Sequence, residues 1–89
     1  MLKQEIEIIN QLGLHARAAA KLVSTAAKFE SEVVVQFADQ RADAKSIMSV
    51  MMLAAAKGSV LTINCEGDDE QNAMRAIITL IDDLFGEEE

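Results

Sequence analysis

Eighty-nine residues, 51% of them hydrophobic, supply one modest core and no more, so the chain reads as a single ordered domain over 1–89. A net charge of −7, with acids gathered around 66–70 and 87–89 and with Lys21, Lys28, Lys45 and Lys57 scattered, argues against nucleic acid or an anionic membrane as a partner, since both need clustered cations. The lone Cys65 has no internal disulfide partner, no run approaches membrane-spanning length, and residues 1–5 lack the apolar stretch of a signal peptide, so the expectation is a cytoplasmic protein.

Residues 2–9 read as a strand with Ile6 and Ile8 on its core face. Residues 10–14 form a loop in which Gly13 supplies backbone freedom. Ala19, Leu22, Val23 and Ala26 repeat with helical spacing and predict a helix over 16–28, closed near Phe29. Val33, Val35 and Phe37 share one face of a second strand, 32–37. A tight turn at 38–40 leads to a short third strand near 41–44.

Ser46 stands as an N-cap before Ile47-Met48-Ser49-Val50-Met51-Met52-Leu53, with Lys57-Gly58 as the closing signal of that helix. Placing Ile47, Val50, Met51 and Ala54 on the sheet leaves Met48, Met52 and Ala55 on its other sides. Residues 60–66 make a fourth strand, with Leu61, Ile63 and Cys65 on one face. After Gly67, Asp68 and Gln71 have the spacing of a capping box. Met74, Ile77, Ile78, Ile81, Leu84 and Phe85 then predict a third helix running to about Phe85, with Gly86 ending it and a frayed acidic tail beyond. The order β-α-β-β-α-β-α, with three helices on one face of a four-stranded sheet, is a two-layer α+β domain.

The chemistry centres on the only histidine. In Gly13-Leu14-His15-Ala16-Arg17 it lies at or beside the N-cap of the first helix, where backbone N–H groups lack internal partners and the dipole is positive. Such a place suits phosphate. A helix-capping or loop histidine is the bland alternative. No Cys–His or His–His spacing accompanies it, and no serine or cysteine is an obvious partner, so neither a metal, a cofactor nor a hydrolytic triad is expected. The imidazole itself remains as the nucleophile. Arg17 is either a surface arginine or a fork of donors that neutralises phosphate charge. The methionines of the second helix fit an exposed docking surface, or a core stripe. Ser46 is first a helix cap, and its position also tolerates a regulatory phosphate.

Gly13-Leu14-His15-Ala16-Arg17 followed by Ala19-Ala20, then Lys45-Ser46-Ile47-Met48, and Ala56-Lys57-Gly58, together resemble HPr, the histidine phosphocarrier family of the bacterial phosphoenolpyruvate-dependent phosphotransferase system, over the whole chain. The resemblance implies an open-faced β-sandwich with an antiparallel sheet of order 1-4-2-3. It implies that His15 takes phosphate from enzyme I on Nδ1 and passes it to an enzyme IIA, with Arg17 assisting. It implies a monomer that docks partners through Ala16, Ala20, Ile47, Met48 and Met51, and an HPr kinase/phosphorylase acting on Ser46 where that enzyme exists.

Three positions depart from the family pattern. Ala18 replaces the usual proline, which presets the backbone of a first helical turn. Leu12 stands where sugar-system members often carry a small polar residue, which leans towards the nitrogen-related branch, as does the acidity. Ser49 replaces a common glycine and competes with Ser46 as a phosphorylation site. Two rivals differ in class. An acyl carrier protein matches in size and acidity, but is an all-helical bundle that the strand patterns contradict. A purely regulatory interaction module, signalling through Ser46, leaves the intact His15 without a use.

Overall fold

The computed structural model describes residues 1–86, so the expected fraying at 87–89 lies outside the described residues. Strand β1 (Leu2–Glu7), helix α1 (Ala16–Ala26), strands β2 (Glu32–Phe37) and β3 (Gln40–Asp43), helix α2 (Ile47–Met52), strand β4 (Val60–Glu66) and helix α3 (Glu70–Asp82) follow in that order, and a 3₁₀ turn (Leu84–Gly86) succeeds α3. The sheet has order β1-β4-β2-β3 with every pair antiparallel. Three helices cover one face, giving the two-layer open-faced sandwich.

Alternation decides which sheet face is covered. Val33, Val35, Leu61, Ile63 and Cys65 are fully buried, and the register sets Val33 opposite Cys65 and Val35 opposite Ile63. Each such aliphatic side chain contributes about 1.5–3 kcal/mol on burial. Their neighbours Glu32, Gln36, Thr62, Asn64 and Glu66 point to the bare side, where Asn64 Nδ2 donates to Gln36 Oε1 at 3.1 Å. Cys65 is a core residue, as its place in the strand implies, and burial pushes its thiol pKa up. Helix α1 buries Ala18, Ala19, Leu22 and Ala26, so its contact stripe is largely methyl groups. Helix α3 buries Ala73, Met74, Ile77 and Ile81.

Several boundaries differ from the sequence expectation, each for a tertiary reason. Strand β1 stops at Glu7 rather than at residue 9, because Ile8 turns to bond the segment before β4: its N–H donates to Ser59 O, and Gly58 N–H donates back to Ile8 O, both at 2.8 Å. Helix α1 ends at Ala26 rather than at residue 28, its last N–H groups closing tighter turns from Lys28 to Thr25 O and from Phe29 to Ala26 O, both at 3.2 Å. Strand β3 covers Gln40–Asp43, one residue earlier than 41–44, since the hairpin turn needs only Ala38 and Asp39.

Helix α2 is shorter than the Lys57-Gly58 signal implies. It ends at Met52, and Ala54 adopts φ 53°, a left-handed conformation. Helix α3 ends at Asp82 rather than near Phe85. Leu84 and Phe85 take φ of 57° and 55°, which carries Phe85 back into the core, where Lys21 Nζ donates to its carbonyl at 2.6 Å.

The capping box at Asp68 and Gln71 does not form. Asp69 is the N-cap, yet its side chain makes no capping bond. Its carboxylate accepts instead from Glu30 N–H and Ser31 N–H, both at 2.9 Å, and from the Ser31 hydroxyl. Glu70 reaches back to Gly67 N–H at 3.2 Å and also pairs with the N-terminal ammonium at 3.3 Å. A distant pair of unpaired N–H groups has outcompeted the local ones for the same carboxylate.

The Ser31 hydroxyl and then the Glu30 N–H hold the Asp69 carboxyl below its ordinary value of 3.8. A carboxyl with a depressed folded-state pKa contributes stability that is fully present above its unfolded value and is lost as pH falls through the folded value. Asp69→Asn should therefore be less stable than the parent at neutral pH and show a shallower loss of stability below pH 3.8. Urea unfolding of both proteins across that range checks this; parallel curves would refute it.

Candidate functional site

His15 is presented by a loop laced to the segment that follows α2. Asn10 is buried and donates from Nδ2 to Gly13 O at 2.9 Å, while Gly13 N–H donates to Asn10 O at 3.2 Å. Leu14 is buried, and its N–H donates to Ala55 O at 2.9 Å. Gly13 sits at φ 64°, and a Cβ there would lie 2.5 Å from Ala55 O and 2.8 Å from Ala56 Cα. Only glycine permits both that dihedral and that approach. This stitch explains why α2 stops early: the chain leaves the helix at Ala54 to aim the Ala55 carbonyl at Leu14.

His15 is the N-cap of α1, as the motif predicts. Its backbone is extended, with φ −74° and ψ 178°, and its carbonyl accepts from Ala19 N–H at 2.8 Å. Its side chain makes no capping bond to the first turn, and that turn holds no acidic residue. The N–H groups of Ala16, Arg17 and Ala18 have no acceptor within the helix. Ala18 has no exposed surface, whereas Ala16 and Arg17 are exposed. Of the three, only Ala16 and Arg17 are residues with surface open to an incoming anion. Alanine in place of the usual proline at position 18 takes nothing from that pair, and its methyl group joins the core.

Ser46 is the N-cap of α2. Its Oγ accepts from Ser49 N–H at 3.4 Å and donates to Ser49 Oγ at 3.1 Å, so the two candidate serines are hydrogen-bonded to each other. Lys45 points elsewhere, its Nζ donating to Phe29 O at 2.8 Å.

Of α2 only Val50 is buried. Ile47 and Met51, expected on the sheet side, are 39% and 38% exposed, while Met48 and Met52 reach 65% and 74%. Leu53 and Ala55 fill the core instead of Ala54, because the left-handed turn at Ala54 rotates the chain. The methionines of α2 thus form a surface, not a core stripe. Helices α1 and α2 touch, and the His15 loop is bonded to the segment that follows α2.

The two chain segments that hold α1 and α2, 8–29 and 44–65, contain no Asp or Glu and carry Arg17, Lys21, Lys28, Lys45 and Lys57. The acids lie in the remainder. Among the described residues no group of three or more His, Cys, Asp and Glu is placed to hold a metal ion. Sequence reasoning missed Asn10 and Ala55. Asn10 had a signal, an Asx residue opening a glycine-containing loop. Ala55 had none, since it acts through its carbonyl.

Residues 2–83 match the family model described as the PTS HPr component phosphorylation site. The chain is 58% identical, over all 89 residues of both proteins, to the phosphocarrier protein HPr of Neisseria meningitidis serogroup A. It superposes on an HPr crystal structure from Thermoanaerobacter tengcongensis with a TM-score of 0.96 at 46% identity, covering 100% of both chains. A structure of an HPr dimer from the same organism matches at a TM-score of 0.79 and 46% identity, covering 98% of this chain and 100% of that one.

Gly13→Ala should lower stability by about 1–3 kcal/mol, the usual cost of a side chain forced into a sparsely populated backbone region. Urea unfolding reads the loss, and the Leu14 amide should exchange faster with solvent. Unchanged stability and unchanged protection would show that the stitch does not hold the loop.

Proposed function

The chain belongs to the HPr family of phosphotransferase-system phosphocarriers, and from that membership we propose that His15 accepts a phosphoryl group from enzyme I and hands it to an enzyme IIA. One observation carries the assignment of roles: His15 caps a helix whose first residues, Ala16 and Arg17, are exposed and whose first N–H groups have no helical acceptor. A ring nitrogen of His15 attacks phosphorus as the bond to the donor breaks. The phosphoryl oxygens then meet the Ala16 and Arg17 N–H groups, and the Arg17 guanidinium offsets their charge. Transfer of this kind depends on positioning and charge stabilisation, and the docked partner supplies the other face of the transition state.

Docking uses Ala16, Ala20, Ile47, Met48 and Met51. Flexible thioethers adapt to more than one partner surface. The acid-free segments around them suit partners with an apolar centre and carboxylates at the rim. In this reading the chain works in the cytoplasm as one domain and one copy. Ser46 is the regulatory serine, addressed by an HPr kinase/phosphorylase where the host has one. The purely regulatory alternative leaves the His15 arrangement idle, and one experiment separates the two: incubation with enzyme I and labelled phosphoenolpyruvate, then mapping of the labelled residue. Label on His15 supports the carrier; its absence leaves the regulatory module.

His15→Ala should fold normally and accept no acid-labile phosphate. Arg17→Ala should fold normally and slow transfer about tenfold to a hundredfold, the equivalent of losing about 1.5–3 kcal/mol from a charge-assisted hydrogen bond. Labelling of His15→Ala at the parent's level, or a parental rate in Arg17→Ala, would remove the corresponding role.

A phosphate on Ser46 brings a charge of about −1.5 to −2 into the apolar docking surface. Desolvating it beside Met48 should weaken enzyme I docking while leaving the fold intact. Ser46→Asp, a partial mimic, should accept phosphate from enzyme I more slowly than the parent, by about tenfold if docking loses about 1.4 kcal/mol. Equal rates at low and moderate salt would show that the two sites are uncoupled. Kinase product found on Ser49 would show that the cap position does not direct the modification.

A further inference from the structure

We propose that Met48 and Met51 are reversible oxidation sites, converted to methionine sulfoxide by a peroxide, and that this modification weakens docking at the His15 face. The inference rests on the docking role given to α2 above. Helix α2 holds Met48, Met51 and Met52 out of five methionines in the chain, and Val50 is its only buried residue. The competing oxidisable side chains are withdrawn or absent: Cys65 is fully buried, Met74 is 6% exposed, and the chain has no Trp or Tyr. Susceptibility to oxidation follows exposure. The accessible thioethers are those of α2, together with Met1 at the N-terminus.

The chemistry is a two-electron oxidation. The methionine sulfur attacks one peroxide oxygen, the O–O bond breaks, a sulfur–oxygen bond forms, and the departing oxygen takes a proton to leave as water. Sulfur loses the two electrons that the peroxide gains. A dithiol reductase reverses the step: its thiols become a disulfide, and the sulfoxide oxygen leaves as water. The product is polar and chiral where the parent was apolar and flexible. Its oxygen is a strong acceptor, and burying it against an apolar partner leaves it unpartnered. Met52 borders a cleft with Gln40, Arg41 and Ser49 and is not among the docking residues named above, so it serves as the control.

The test uses the full chain, hydrogen peroxide and enzyme I. Peptide mapping should find oxygen on Met48 and Met51 while Met74 is spared. Affinity for enzyme I, read by titration calorimetry, should fall about tenfold and return after treatment with methionine sulfoxide reductase. The double variant Met48→Leu, Met51→Leu, read against its own untreated affinity, should be insensitive to peroxide, whereas Met52→Leu should lose affinity as the parent does. An unchanged affinity once Met48 and Met51 carry oxygen overturns the inference, as does an equal loss in the double variant. An untreated protein that docks but takes no phosphate on His15 overturns the carrier reading alone, and one that does not dock overturns both.

Discussion

The hydrogen bond from Leu14 N–H to Ala55 O, with Gly13 packed flat against Ala55 and Ala56, is the constraint on which the rest of the site depends. It fixes where the β1–α1 loop ends and therefore where α1 begins. The same contact decides where α2 must stop. Two chain segments far apart in sequence are joined through backbone atoms, at the one residue type that leaves room for it. The backbone at His15 is set next to this contact, one residue beyond Leu14.

That arrangement fits a carrier. A helix start, here with the exposed residues Ala16 and Arg17, is a preset place for anionic oxygens and needs no reorganisation when charge arrives. A domain of this size has little interior left for a substrate pocket. What it offers is a surface, and in the proposed reading His15 acts from that surface and a docked protein completes the site. Charge is also separated along the chain: among the described residues the acids fall outside α1 and α2. The net charge of −7 thus describes the molecule as a whole and not the two helices, which carry Arg17 and Lys21 and no acid.

Helix α2 shows how small size creates an exposed apolar surface. It is six residues long, five of them apolar, and the core has room only for Val50. Leu53 and Ala55 occupy the remaining space from just beyond the helix. Ile47, Met48, Met51 and Met52 stay exposed because no described element covers them. Burying them would demand another layer. Keeping them as thioethers gives an adaptable surface and also makes it chemically reactive.

Periodicity and local chemistry made much of this legible in the sequence. Alternation at Val33–Val35 and at Leu61–Ile63–Cys65 identified the strands and their buried face, helical spacing identified α1 and α3, and the capping preference of serine located the start of α2. These signals are local, acting between residues a few positions apart. Wherever a distant partner competed, the local signal lost. Asp69 abandoned the helix it caps for the N–H groups of Glu30 and Ser31. Phe85 left the line of α3 to reach the core, and Lys57-Gly58 yielded the end of α2 to Ala54. The sheet order, with β4 between β1 and β2, has no counterpart in the element pattern and came only through family resemblance. So the sequence by itself determined the elements, the inward faces of β2, β4, α1 and α3, and the residue proposed as the nucleophile. The tertiary structure decided where helices end, which apolar residues remain outside and what holds His15 in place, because those outcomes depend on backbone carbonyls and packing space that no side chain encodes.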